Sequence, residues 1–255
     1  MALQKFYNTP YKKDIGEDEI MKPTMPANHA GGAGFTGFSE RTIEFMWNLR
    51  LNNNKTWFEA NKDAFVRDFQ TPMKQLGRDV FMRISAEFSG RDFIHKVARI
   101  YRDARRVRDG EPYRANLWFT IERPAEEWTS TPVFWFELAP DNWSYGLGFY
   151  AARAETMSKL RARIDDDPAA FEKLIAPLDG QDEFVLDGPE YARKKEAPTN
   201  KTAPWYNKKT LSLIHNHPIG DALFSPELAD RLVKGYAFLM PLYDYLITLD
   251  STGSG

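Results

Sequence analysis

The chain has 255 residues, of which 42% are hydrophobic and 14% aromatic, enough for one packed domain. Its formal net charge of -2 excludes a protein that coats nucleic acid over its whole surface. The absence of cysteine excludes disulfides, thiolate metal sites and cysteine nucleophiles. We expect no membrane-spanning helix, because the sequence has no apolar run of about 18 residues. The first residues lack the apolar middle of a signal peptide, so we expect a cytoplasmic protein.

The two ends of the chain differ in composition from the middle. Residues 1–34 combine three prolines with charged residues and end in a glycine-rich run, without apolar periodicity. This composition predicts a flexible leader or an arm draped over the domain. Residues 35–250 are predicted to form a single domain, and residues 251–255 a disordered tail.

Helical patterns dominate the first part of the domain. Ser39 is a predicted N-cap, followed by apolar residues at helical spacing. Asn52, Asn53 and Asn54 should end this helix, with Asn54 capping the next one. A long amphipathic pattern then continues to Phe88, and Pro72 is expected in the first turn of a second helical segment.

The middle of the chain has the signature of a sheet. Short aromatic or β-branched runs predict antiparallel strands at about 93–101, 115–122, 131–138 and 143–150. Helical patterns return at about 153–165 and 168–177, followed by a strand at about 184–186 and an irregular loop to about 207. A final helix begins near Ser225 and Pro226. The predicted fold class is α+β, an antiparallel aromatic-rich sheet flanked by N-terminal and C-terminal helices.

The segment from Lys96 to Arg114 carries the strongest functional signal. It contains seven basic residues and three acidic ones, a net charge of +4 inside a chain of net charge -2. Guanidinium groups stay protonated at physiological pH, and their planar forks suit phosphate and carboxylate groups. We therefore expect an anion-binding site in this segment.

Strand geometry limits how these arginines can converge. On one strand, Arg99 and Asp103 share a face, while Arg102 points to the other. A bulge or a turn is therefore needed before Arg102 and Asp103 can reach one ligand. A loop over 104–112 could bring Arg102, Arg105 and Arg114 together around an anion. Asp103 or Asp109 would then orient a guanidinium. The alternative is an exposed charge network that contributes little to stability.

Other motifs have structural as well as functional interpretations. Asn53 and Asn54 are either helix punctuation or amide groups that recognise a ligand beside Trp57, which can equally be a core residue. Gly146 and Gly148 lie in a strand-like run, where the close approach of another strand or of a ligand explains them. His215 and His217 form the single HxH motif. Neighbouring Asn216 and Pro218 predict a loop there, and four histidines without cysteine predict no metal site.

Several of these motifs occur in an order and at a spacing that resemble the bacterial and fungal domain-of-unknown-function family 2461. The resemblance extends over about residues 35–246. The segments that carry it are NNKTWF at 53–58, RIYRDAR at 99–105, Asp109, PYR at 112–114, GLGFY at 146–150 and Arg161. Where the family tends to have Phe-Ser after the second arginine of its motif, this chain has Arg106-Val107. The resemblance implies an outline of the fold and candidate positions, and it implies no reaction.

These observations predict a protein that binds, or acts on, a phosphate- or carboxylate-bearing small ligand. Small molecules and nucleotides rank ahead of long nucleic acid, no cofactor is expected, and the sequence does not identify the ligand. One alternative is an interaction module that docks an acidic protein partner. The other is a hydrolase in which Asp103 or Asp109 acts as general base or metal ligand. The candidate ligand-binding residues are Asn53, Asn54, Trp57, Arg99, Arg102, Asp103, Arg105, Asp109, Tyr113, Arg114 and Arg161.

Overall fold

The computed structural model describes residues 34–102, 110–126 and 128–249. Its helices are α1 Glu40–Leu51, α2 Lys55–Ala60, α3 Lys62–Ala64, α4 Thr71–Glu87, α5 Ala154–Asp166, α6 Pro168–Ile175, α7 Ala203–Tyr206 and α8 Glu227–Ile247, with a π-helix at Phe65–Gln70 and 3-10 turns at Trp128–Ser130, Ala176–Leu178 and Asp221–Phe224. Its strands are β1 Ile94–Val97, β2 Leu117–Glu122, β3 Pro132–Leu138, β4 Asn142–Phe149, β5 Val185–Asp187 and β6 Ser212–Pro218. The predicted leader before Gly34 and the predicted tail at 251–255 lie outside the described residues.

The first helices begin and end where their capping residues predict. Ser39 precedes α1, and its backbone N–H donates to the Thr42 hydroxyl at 3.1 Å. The predicted break at the asparagine triplet is confirmed, because the Asn54 side chain accepts a hydrogen bond of 3.0 Å from the Trp57 N–H and so caps α2.

Pro72 lies in the first turn of α4, as predicted, but the helix before it continues without a break as the π-helix. Proline has no N–H to offer the carbonyl four residues earlier, that of Asp68. The Thr42 hydroxyl of α1 donates to this carbonyl instead, at 2.5 Å. The wider π turn and the Thr42 contact together allow a proline inside a long helical segment.

Within the described residues the six strands form one antiparallel sheet in the order β1-β2-β3-β4-β6-β5. The predicted α+β class is confirmed, and the four central strand predictions match β1 to β4. The predicted loop at His215 and His217 is wrong, because both residues belong to β6. The ladder to β4 begins at Ser212 and continues through Pro218 at the end of the strand, so neither Asn216 nor Pro218 prevents pairing.

One face of the sheet packs against helices and forms the core. Side chains alternate along each strand, so β2, β3 and β4 turn large apolar groups to the same face. Helix α4 packs against β1 and β2, and α8 packs against β3 and β4. The fully buried rings between these layers include Phe119, Phe134, Phe136, Trp143, Tyr145, Tyr236 and Tyr243.

The glycines of β4 allow β6 to lie close beside it. A Cβ on Gly146 would lie 1.9 Å from the Leu213 carbonyl oxygen, and one on Gly148 would lie 2.5 Å from the Ser212 Cβ. Both distances are far below van der Waals contact. The close approach predicted for this motif is therefore that of a neighbouring strand.

No helix among the described residues combines the length and the apolar character that crossing a membrane would require.

Candidate functional site

The basic segment forms an extension of the β1–β2 ladder, which we call the hairpin base and define as residues 98–102 and 111–118. Val97 pairs with Phe119, and Tyr101 pairs with Tyr113. The first strand advances four residues between these two pairs, whereas the second advances six. The second strand therefore contains a bulge of two residues. The bulge or turn predicted between Arg102 and Asp103 is a different one, and it stays a prediction because Asp103 lies outside the described residues.

Asn53 fixes the position of the hairpin base. Its side-chain amide donates to the Tyr113 carbonyl at 2.8 Å and accepts from the Tyr113 N–H at 3.0 Å. Phe58 stacks on the Tyr113 ring, with centroids 4.1 Å apart, and the Tyr101 ring lies 5.8 Å from Phe58. Two hydrogen bonds and a stacked ring thus tie this part of the sheet to the first helices.

The described arginines of the hairpin base contact its backbone. Arg102 Nη1 donates to the Glu111 carbonyl at 3.0 Å and lies 3.7 Å from the Glu111 carboxylate. Arg114 Nη1 donates to the carbonyl oxygens of Tyr101 and, at 3.3 Å, Arg99. The Arg114 guanidinium also lies 5.3 Å from the centre of the Trp118 ring. Arg99 itself is exposed.

Three of the predicted site residues lie outside the described residues. Asp103, Arg105 and Asp109 belong to the stretch 103–109 that joins the two sides of the hairpin base. The predicted gathering of arginines around an anion, and the proposed roles of the two aspartates, therefore stay predictions.

The remaining predicted residues have separate positions. Asn54 is the cap of α2, and Trp57 is half-buried with its ring 5.7 Å from that of Phe45, which favours the structural interpretation of both. Arg161 lies over the Tyr191 ring at 5.3 Å. Lys209 contacts the same ring at 5.9 Å, just before β6 begins.

Arg161 is consequently not brought together with the hairpin base. The strand β6 begins at the end of the sheet where β4 finishes and β1 starts. The hairpin base extends from the opposite end, where β1 finishes.

A second polar cluster, which sequence reasoning missed, lies on the helix-covered face at the other edge of the sheet. We call it the Glu183 cluster; its members are Tyr145, Glu183, His215, His217 and Arg231. Arg231 forms a bidentate ion pair with the Glu183 carboxylate, with hydrogen bonds of 3.0 and 2.8 Å. The Tyr145 hydroxyl donates to the same carboxylate.

The two histidines extend from neighbouring positions on one face of β6. Their rings stack in parallel with centroids 3.6 Å apart, and Trp143 of β4 stacks on His217 at 4.0 Å. His215 Nδ1 lies 3.3 Å from Glu183 Oε2, yet it is buried without a hydrogen-bond partner. His217 Nε2 is also buried without one.

The segment before β5 carries Glu183 to this place. The Gln181 side chain accepts from the Phe184 N–H and donates to the Phe184 carbonyl, each at 2.7 Å, which closes the turn around Glu183. Helix α8 approaches through Gly235, where a Cβ would lie 2.6 Å from the Tyr145 ring. A side chain at Gly235 would therefore separate α8 from Tyr145.

The cluster changes the protonation behaviour of its members. Burial alone would raise the pKa of Glu183, but the hydrogen bonds from Arg231 and Tyr145 outweigh it, so this pKa lies below its ordinary value. Burial, followed by the hydrogen bond to Glu183, raises the pKa of Tyr145. Burial, with the nearby positive groups, lowers the pKa of His217 from 6.5 to about 4. Glu183 is thus ionised and His217 neutral at neutral pH.

A cleft opens beside the cluster, between α8 and the 181–184 segment. Its volume is about 750 Å³, within the range of small-ligand sites, and Tyr145, Glu183 and Arg231 lie in its wall. The HxH motif was the only sequence signal for this cluster. Alternate residues of a strand share one face, so the two histidines of this motif point the same way on β6.

The family comparison agrees with the resemblance seen in the sequence. The model of a family described as Conserved hypothetical protein (DUF2461) matches residues 41–245. The match covers most of the described domain and includes both the hairpin base and the Glu183 cluster. No curated protein matches the chain.

Proposed function

The chain belongs to the DUF2461 family of conserved hypothetical proteins, and we propose that it binds a phosphate- or carboxylate-bearing small ligand at the hairpin base. The observation that carries this proposal is the fixed backbone around Arg102 and Arg114. Asn53 holds the backbone of Tyr113 through two hydrogen bonds, and Phe58 stacks on the Tyr113 ring. Guanidinium groups on a rigid frame lose less conformational entropy when they bind an anion than those on a free chain.

Charge and size favour a small ligand. The segment 96–114 has a net charge of +4 in a chain of net charge -2, so the positive field is local. A local patch suits a nucleotide or a sugar phosphate better than a long nucleic acid, which needs an extended basic track. The absence of cysteine suits a reducing compartment, and we place the protein in the cytoplasm.

Calorimetry with an anion panel tests the proposal. The panel contains inorganic phosphate, nucleotides, sugar phosphates and short single-stranded DNA and RNA, each measured at two salt concentrations. We expect saturable one-to-one binding with a shallow dependence on salt. Arg102→Ala should weaken it by about 1–3 kcal/mol, because a charge-assisted hydrogen bond is lost from a partly desolvated site.

A matched control separates this effect from general loss of positive charge. Arg83, near the end of α4 and outside the hairpin base, forms an exposed ion pair of 2.7 Å with Asp230 of α8. Arg83→Ala removes the same charge and should leave anion binding unchanged. Wild-type protein that binds nothing on the panel would overturn the proposal and put docking of an acidic protein ahead. A steep salt dependence without a ligand-size limit would overturn it in favour of nucleic acid.

A further inference from the structure

The Glu183 cluster contains three groups of the kind that bind transition metals. One ligand atom from each of Glu183, His215 and His217 can be chosen so that all three lie within 4.8 Å of one another. Two imidazoles and a carboxylate form a common ligand set for zinc and related divalent ions. The three residues come from two separate parts of the chain, which the pairing of β5 with β6 brings together.

The unpartnered ring nitrogens are a second and independent observation. His215 Nδ1 and His217 Nε2 are both buried without a hydrogen-bond partner. A buried polar group left without a partner costs about 1–3 kcal/mol. A metal ion bound to both lone pairs would remove this cost at two neighbouring residues.

The groups around Glu183 are those that orient a ligating carboxylate. Arg231 and Tyr145 donate to the Glu183 oxygens, and such hydrogen bonds usually fix the carboxylates that bind metals. Each carboxylate oxygen can accept more than one interaction, so Oε2 can contact both Arg231 and a cation. The positive charge of Arg231 offsets part of the negative charge that Glu183 offers to a cation.

We propose that Glu183, His215 and His217 bind one divalent transition-metal ion. Zinc is the ion that we propose and test. Three protein ligands leave the fourth position of a tetrahedral zinc ion open, as catalytic sites require. The cleft of about 750 Å³ reaches Glu183 and gives a small molecule access to this side of the cluster. This site is separate from the anion site of the hairpin base and does not depend on it.

Metal binding also requires the histidine rings to move. Their parallel stacking at 3.6 Å directs the two lone pairs into separate planes, so both rings must rotate about the Cβ–Cγ bond to reach one ion. Because Trp143 stacks on His217 at 4.0 Å, this rotation should change the environment of the Trp143 ring. The change in tryptophan fluorescence on adding zinc should therefore be lost in Trp143→Phe.

Zinc titration of the full chain tests the site. Protein without a histidine tag is treated with a chelator, dialysed, and titrated with zinc by calorimetry. We expect one ion per chain, with affinity at least about tenfold weaker in Glu183→Gln, His215→Phe and His217→Phe. The phenylalanine substitutions keep a flat ring in the stack, and circular dichroism verifies that each variant is folded.

Two controls make the outcome decisive. Glu227 lines the same cleft but lies outside the cluster, so Glu227→Gln should bind zinc like the wild type. Arg102→Ala should also bind zinc normally, which separates this site from the anion site. Fewer than one zinc per chain, or unchanged affinity in His217→Phe, would overturn the proposal. Cobalt(II) added to the wild type gives a further readout, because tetrahedral coordination produces visible absorption that an unbound ion lacks.

Discussion

Replacing the buried His95 by leucine should remove a large part of the acid sensitivity of the fold. The His95 ring is 2% exposed and packs between Phe81 and Phe119, at centroid distances of 5.9 and 5.5 Å. Its Nε2 is buried without a partner beside Gly77, where a Cβ would lie 2.2 Å away. A charged imidazolium would have no compensating group at this nitrogen.

The direction of the pH effect follows from the two protonation states. Burial lowers the pKa of His95 from 6.5 to about 4. Between these values the unfolded chain binds a proton that the folded protein does not, so folding stability falls as the pH falls. The difference between 6.5 and about 4 corresponds to about 3 kcal/mol. This contribution is a loss of stability that is absent well above pH 6.5 and complete below about pH 4.

Urea unfolding followed by circular dichroism measures this contribution. Leucine fills much of the same volume, so His95→Leu should change stability at pH 7 by less than about 1.5 kcal/mol. Its stability should then fall less than that of the wild type toward pH 4, by about 2–3 kcal/mol. His217 adds a smaller effect in the same range, because burial also lowers its pKa to about 4 but it is less buried.

A conservative core substitution is the control. Ile121 pairs with His95 across β1 and β2 and is fully buried. Ile121→Val should lower stability by about 0.5–1.5 kcal/mol at every pH, without altering the pH dependence. Equal pH dependence in the wild type and in His95→Leu would refute the reasoning.

Three further predictions concern the sheet, the hairpin base and the leader. Gly146→Ala should destabilise the fold by about 3 kcal/mol or more in urea unfolding, because its Cβ would lie 1.9 Å from a β6 carbonyl oxygen. The control is Gly220→Ala, which has open space around it and should change stability by less than about 0.5 kcal/mol. Asn53→Ala should cost about 1–3 kcal/mol by leaving the Tyr113 N–H and carbonyl without their partner, and hydrogen exchange at the Tyr113 amide should accelerate; an unchanged exchange rate would show that the clamp is dispensable. Removing residues 1–34 should leave the melting temperature within a few degrees in calorimetry, whereas a large loss would show that the leader packs on the domain.

The sequence was most informative where structure depends on neighbours along the chain. Ser39 and Asn54 mark helix starts because a side chain can satisfy nearby backbone N–H groups. The strands β1 to β4 follow from short aromatic runs separated by turn residues. Strand β6 was missed because Asn216 and Pro218 are poor strand formers. The alternation of Leu211, Leu213, His215 and His217 was the signal for a strand, and it points all four to the helix-covered face.

The π-helix and the Glu183 cluster depend on tertiary contacts that no local pattern contains. Pro72 predicted a new helical segment, but continuity required the hydroxyl of Thr42, which belongs to another helix. Glu183 acquires its role from Arg231 and His215, each more than thirty residues away. Such residues meet only once the sheet order and the position of α8 are known.

Aromatic rings position the polar groups in both candidate sites. At the hairpin base, Phe58 stacks on Tyr113 and so orders the strand that carries Arg114. In the Glu183 cluster, Trp143 stacks on His217 and so supports the His217 ring on the face of the sheet where Glu183 lies. A flat ring has few rotatable bonds, so packing it costs less side-chain entropy per buried area than packing a flexible aliphatic chain. The aromatic content of this chain is therefore informative about its polar chemistry. The aromatic residues supply the rigid surfaces, and the fold determines which charged groups lie against them.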